Sequence, residues 1–164
     1  MKLIVDNNKF IVFLNKDENI DFDNKTKMEK YFKDLFSKIK NKYNVDISGY
    51  YNIDIYIDKY YGSIIEIEDE QLDYYTYFNQ IDMEINVLKN SLFLYEIGYE
   101  FLDKKILDKV ICYKINDKIY LQIISDIDDL LLAKIIEYGH ILYGKEVDKI
   151  VKQGKKVKLW KNPS

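Results

Sequence analysis

Chemistry at neutral pH usually starts from a histidine or a cysteine, and this chain has one of each. His140 sits in "KIIEYGHILYGKEV", three residues after Glu137. As a general base it would be oriented by that carboxylate. As a structural residue it would lie near a helix C-terminus and interact with exposed carbonyls. Cys112 lies in the apolar run "KVICYKI", which predicts a buried structural thiol, and as the lone cysteine it cannot form an intrachain disulfide. One His and one Cys cannot assemble a zinc site of the usual N/S type. Neither G-x-G-x-x-G nor G-x-x-x-x-G-K-[ST] occurs, and there is no G-x-S-x-G elbow for a serine nucleophile. The cluster "KDENIDFDN", with Asp17, Glu18, Asp21 and Asp23, lacks the central glycine and the closing bidentate glutamate of a calcium loop. Glu66, Glu68, Asp69 and Glu70 read as a solvated edge. The residue types therefore point to a protein that is not an enzyme, needs no cofactor or metal, and acts through its surfaces.

Composition narrows the partners. The 164 residues carry a net charge of −3, and every one of the 25 basic residues is lysine. Arginine is the residue that reads phosphate and guanine edges bidentately, so sequence-specific nucleic-acid binding is not expected. Hydrophobic residues at 48% and charged residues at 32% specify a folded chain. The first ten residues do not make a signal peptide and no apolar run approaches the ~20 residues of a membrane span, so a cytoplasmic location is expected. Sixteen tyrosines fit both sheet surfaces and protein interfaces.

These surfaces need elements to hold them. "KLIVDNNKFIVFLN" predicts two strands around Asp6-Asn7-Asn8. "TKMEKYFKDLFSKIKNKYN" predicts an amphipathic helix with a Thr26/Glu29 capping box. "NIDIYIDKYYGSIIEIEDE" alternates as a hairpin turning at Lys59 to Gly62. The first lobe is thus β-β-α-β-β over residues 1–70, followed by a short acidic connector at 71–79. For the second lobe, residues 80–164, the pattern predicts β-α-β-β-α-β. It runs as a strand at "QIDMEINVL", a buried helix at "NSLFLYEIGYEFL" and a hairpin around Asn116-Asp117. A helix at "SDIDDLLLAKIIEYGHIL" follows, capped by Ser125 or Asp126 and stopped by Gly144, and then two strands at "KEVDKIVKQGKKVKLW". The expected class is α+β: two small lobes, each a mostly antiparallel sheet with helices on one face.

This order, together with "MKLIVDNNKFIVFL", "KYFKDLFSKI", "NIDIYIDKYYGSIIEIE", "VICYKINDKIYLQI" and "IIEYGHILYGKEVDKIVKQGKKV", resembles the MecA family. Those proteins are adaptors that serve the AAA+ unfoldase ClpC. The resemblance implies a non-catalytic adaptor whose N-terminal lobe binds a substrate protein and whose C-terminal lobe binds the unfoldase. It places the partner-facing surface of the second lobe at Glu137 and Tyr138 and at the acidic cap Asp126, Asp128 and Asp129. The alternative reading is a phage or mobile-element inhibitor that binds a host nucleic-acid or defence enzyme.

Overall fold

The computed structural model describes residues 2–6, 9–18, 20–44, 49–70, 81–106 and 108–158. The chain forms two units, Met1–Asn90 and Ser91–Ser164. Among the described residues there are two five-stranded sheets and three α-helices, an α+β architecture with mostly antiparallel strands.

The first unit is organised by α1 (Lys25–Tyr43). Met28, Phe32, Leu35, Phe36 and Ile39 recur at helical spacing, and all five are buried. The helix is capped by Asn24, whose side chain accepts from Lys27 N at 3.1 Å. The expected Thr26/Glu29 box is therefore not the cap: Asn24 starts the helix earlier and leaves Thr26 inside its first turn. Asn44 ends it in the left-handed region, at φ 52°, which asparagine tolerates. The strands are β1 (Lys2–Asp6), β2 (Lys9–Asn15), β3 (Gly49–Asp58), β4 (Gly62–Asp69) and β5 (Ile81–Leu88). They are ordered β1-β2-β4-β3-β5. Val12, Leu14, Tyr51, Ile53, Ile55, Ile65 and Ile67 join the helix residues in one core. In the β3–β4 turn the Asp58 carboxylate accepts from Tyr60 N and Tyr61 N at 2.9 and 2.8 Å. Gly62 follows at φ 129°, where a side chain would also run into the Leu14 carbonyl.

β5 corrects the expected lobe boundary. The strand at Ile81–Leu88 pairs in parallel with β3, Gly49 opposite Ile81 through Tyr56 opposite Leu88. It belongs to the first unit, which ends at Asn90. The expected connector at 71–79 lies outside the described residues. Parallel pairing places Ile81, Met83, Ile85 and Val87 against the α1 core and gives the strand a role no local pattern could assign.

The second unit contains β6 (Leu94–Ile97), β7 (Val110–Ile115), β8 (Lys118–Ile123), β9 (His140–Leu142) and β10 (Lys155–Val157). The order is β10-β7-β8-β6-β9, and every pair is antiparallel. The hairpin around Asn116-Asp117 is present, with Ile115 opposite Lys118 and Asn116 at φ 54°. Three expectations fail here. Residues 91–102 hold strand β6 and a 3-10 turn at Tyr99–Phe101 in place of a helix. The "LFLYEI" run is apolar because β6 is an inner strand, with Phe93, Leu94 and Tyr95 all buried. Helix α2 (Asp129–Tyr138) is shorter than expected and is capped by Asp128, whose carboxylate accepts from Leu130 N at 2.7 Å. It closes at Gly139, whose N–H donates to Ile135 O at 2.7 Å. Finally, residues 145–153 form helix α3 (Lys145–Gln153) and not a strand. Val147 and Ile150 are three apart and place one apolar stripe over Tyr113, Tyr120, Leu94 and Leu142. Gly144, at φ 67°, precedes this helix and does not end the previous one. α2 lies against β6. Among the described residues, no helix is long and apolar enough to cross a membrane.

Candidate interaction surfaces

The five residues expected to face a partner all lie on α2 or just before it, and all are exposed. They form two groups. Asp126, Asp128 and Asp129 stand at the N-terminal end, where the helix dipole favours negative charge. Glu137 and Tyr138 stand at the C-terminal end. A ten-residue helix rises about 15 Å, so the groups do not make one cluster. Asp128 is engaged as the cap. Tyr138 stacks on Phe101, with ring centroids 4.4 Å apart and planes within 3°. Both residues remain over 40% exposed, as does Tyr99, two positions before Phe101. Phe101 and Tyr99 went unsuspected in the sequence because their segment reads as a helix.

His140 is on the edge strand β9, opposite Glu96, and not on the helix that carries Glu137. Glu96 makes an ion pair with Lys118 at 3.3 Å. The imagined Glu137–His140 helical pair therefore does not form. Cys112 is buried in β7, and burial pushes its thiol from about 9 up to about 11, which keeps it protonated and unreactive near neutral pH. The acidic stretch at 17–23 is held by local bonds. Asp21 accepts from Asp23 N at 3.1 Å and lies 3.6 Å from Lys27, while Asp23 pairs with Lys89. Among the described residues, no three His, Cys, Asp or Glu side chains gather as a metal site.

The more coherent surface is on the first sheet, on the face turned away from α1. The strand register sets its rows. Ile11, Glu66, Asp54 and Asn86 lie side by side, and so do Lys9, Glu68, Asn52 and Glu84, with Tyr50 beside Asp82 in the next row. Asn86 Nδ2 donates to Asn52 Oδ1 at 3.1 Å and to Asp54 Oδ1 at 3.0 Å. The Tyr50 hydroxyl donates to Glu84 Oε2 at 3.4 Å. Lys9 reaches Glu66 at 4.0 Å. The field of this face is legible in its phenols. Tyr50 is raised by desolvation and then by Glu84, Asp82 and Glu70, and Tyr56 by desolvation and then by Glu66 and Asp54. The alternation of Asp54, Glu66 and Glu68 in the hairpin was visible in the sequence. The addition of Asp82 and Glu84 was not, because it depends on β5 joining this sheet.

Compared with protein-family models, with curated proteins and with solved structures, the chain matches none.

Proposed function

We propose that the protein is a non-catalytic, cytoplasmic adaptor that binds a substrate protein and delivers it to an AAA+ unfoldase of the ClpC type. The observation that supports this reading is that each unit carries its own exposed surface. The first has the exposed carboxylates Glu68, Asp82 and Glu84 on one sheet face, and the second has the Phe101–Tyr138 stack beside Glu137. Two binding surfaces on one chain convert a second encounter into an intramolecular one and raise the local concentration of one partner at the other. No step in this mechanism needs a proton transfer, a nucleophile or a metal. The resemblance adds the identity of the unfoldase, and we place its contact along α2, at Asp126, Asp128 and Asp129 by its N-terminal end and at Glu137 and Tyr138 by its C-terminal end.

The test is ATPase stimulation of a purified ClpC-type unfoldase. Stimulation by the wild-type chain and its loss in Tyr138→Ala combined with Glu137→Lys is the expected result. No binding and no stimulation at micromolar concentrations would sink the proposal. The inhibitor reading is favoured by one observation, the carboxylates Asp54, Glu66, Glu68 and Glu84 on a single sheet face, which suit the basic groove of a nucleic-acid enzyme. It predicts that the protein blocks such an enzyme in a salt-sensitive way.

A further inference from the structure

We propose that the solvent face of α1 receives an extended, carboxylate-rich segment of a partner protein. The proposal rests on the protein-binding reading above and names the chemistry of the substrate segment.

Charge segregation is the first observation. α1 carries seven lysines against Glu29 and Asp34, in a chain whose net charge is −3. The rest of the molecule is therefore acidic, and cations are concentrated on one helix. Lys25, Lys30, Lys33, Lys38 and Lys40 are all exposed. Among the described residues, Lys27 is the one lysine of α1 in an ion pair, with Asp21 at 3.6 Å. Asp34 lies four residues from both Lys30 and Lys38, the spacing of a helical ion pair, and makes none with either among those residues. The face is not neutralised by its own chain.

Helical spacing gives the face its shape. The exposed Ser37 and Asn41 fall on one line, with Lys33 and Lys40 on one side of it and Lys38 on the other. Short side chains between long ones leave a shallow trough floored by hydrogen-bonding groups. From Lys25 to Lys42 the helix rises about 25 Å, the length of about eight extended residues. The same face sets the class of partner. It has no arginine and no exposed aromatic residue other than Tyr43 at its end, so it offers neither bidentate contacts to base edges nor a platform for stacked bases. The apolar side of α1 is buried in the core, so the helix cannot lie in a membrane interface as an amphipathic anchor does. A duplex or a vesicle would also reach the acidic remainder of the chain, whereas one extended segment meets the lysines alone. Carboxylates spaced along that segment match ammonium groups one at a time, and a row of such pairs adds up where a single exposed pair contributes little.

The probe is a fluorescein-labelled octaglutamate peptide, titrated into the full chain at low ionic strength and read by anisotropy. The same label on an octapeptide of glycine and serine is the blank. Saturable binding of octaglutamate alone is expected, and it should weaken by at least about tenfold when salt is raised from about 20 to about 200 mM. Lys33→Glu combined with Lys38→Glu should weaken it by at least about tenfold at low salt, and Asp34→Lys should tighten it by about threefold. Lys149→Glu combined with Lys152→Glu makes the same change of charge at exposed positions of α3, and should alter binding by less than about twofold. Thermal melting checks that each variant is folded. Equal weakening by the α1 and α3 pairs would reduce the contact to net charge and overturn the proposal. So would tighter binding of a DNA duplex or of phosphatidylserine vesicles than of octaglutamate, or a dimer of the chain that Lys33→Glu with Lys38→Glu dissolves. If octaglutamate binds as expected and the wild-type chain fails to stimulate the unfoldase, the acidic-segment site stands and the adaptor reading falls. If octaglutamate does not bind and the wild-type chain stimulates the unfoldase, the site falls and the adaptor reading stands.

Discussion

The two units share a strand count and little else. Among the described residues, the first has one 19-residue helix and strands of five to ten residues, and the second has helices of ten and nine residues and strands of three to six. Long elements repeat their apolar period several times. The first unit therefore seats Phe32, Phe36, Ile53, Ile55, Ile65 and Ile67 with at most a trace of exposure. The second closes its core with Val147 and Ile150, two residues of a helix too short to be stable alone. The inner strands of the second unit bury Leu94 and Leu121 as completely as the first unit buries its core, so the contrast lies in the covering helix, whose Ile150 keeps 8% of its surface exposed where Phe32 keeps none.

The sharpest way to break this comparison is to empty each core. Phe32→Ala should cost about 3–5 kcal/mol in urea titration, and Ile150→Ala about 2 kcal/mol, because Ile150 lies at a margin where neighbours can relax. Equal losses would mean that the second core is as tightly packed as the first. A pH scan probes β7 more gently. Cys112 has a folded thiol value near 11 against about 9 in the open chain, so the unfolded state loses its proton first. The contribution is complete below pH 9 and drains away toward pH 11, about 2–3 kcal/mol in all. Cys112→Ala should lose that part of the alkaline fall, and a thiol reagent at pH 8 should label the native chain slowly. Next come the caps. Asn24→Ala and Asp128→Ala should each cost about 1 kcal/mol by thermal melting, which tests whether the short helix depends on its cap as much as the long one does. The smallest effect is expected at the surface. Phe101→Ala removes an exposed stack and should lower stability by less than about 1 kcal/mol, so any large loss of partner binding in that variant would report recognition and not folding.

Legibility in the sequence followed the same division. α1 and the β3–β4 and β7–β8 hairpins were readable because their patterns are local and repeat three or more times. The run Leu92 to Ile97 was misread because an inner strand buries both faces, and a short unbroken apolar run fits a buried helix equally well. Residues 145–153 carry Val147, Ile150 and Val151 at the helical spacing i, i+3 and i+4, but a single turn of that pattern is short enough to read as a strand. The membership of β5 could not be read at all, since parallel pairing leaves no mark near the strand. Of the surface residues, the carboxylates of β4 were visible as a group. Their neighbours on β5, and the ring under Tyr138, became visible only in three dimensions.

The parallel pairing of β3 with β5 also bears on the order of assembly. β3 and β4 meet across a tight turn, whereas Gly49 and Ile81 meet across 32 positions of chain. Closing that distance costs more chain entropy before any contact repays it. The pairing of β2 with β4 spans more chain still, 47 positions from Asn15 to Gly62. The β3–β4 hairpin should therefore form first and serve as the seed of the sheet, with β5 on one flank and the β1–β2 hairpin on the other joining it later.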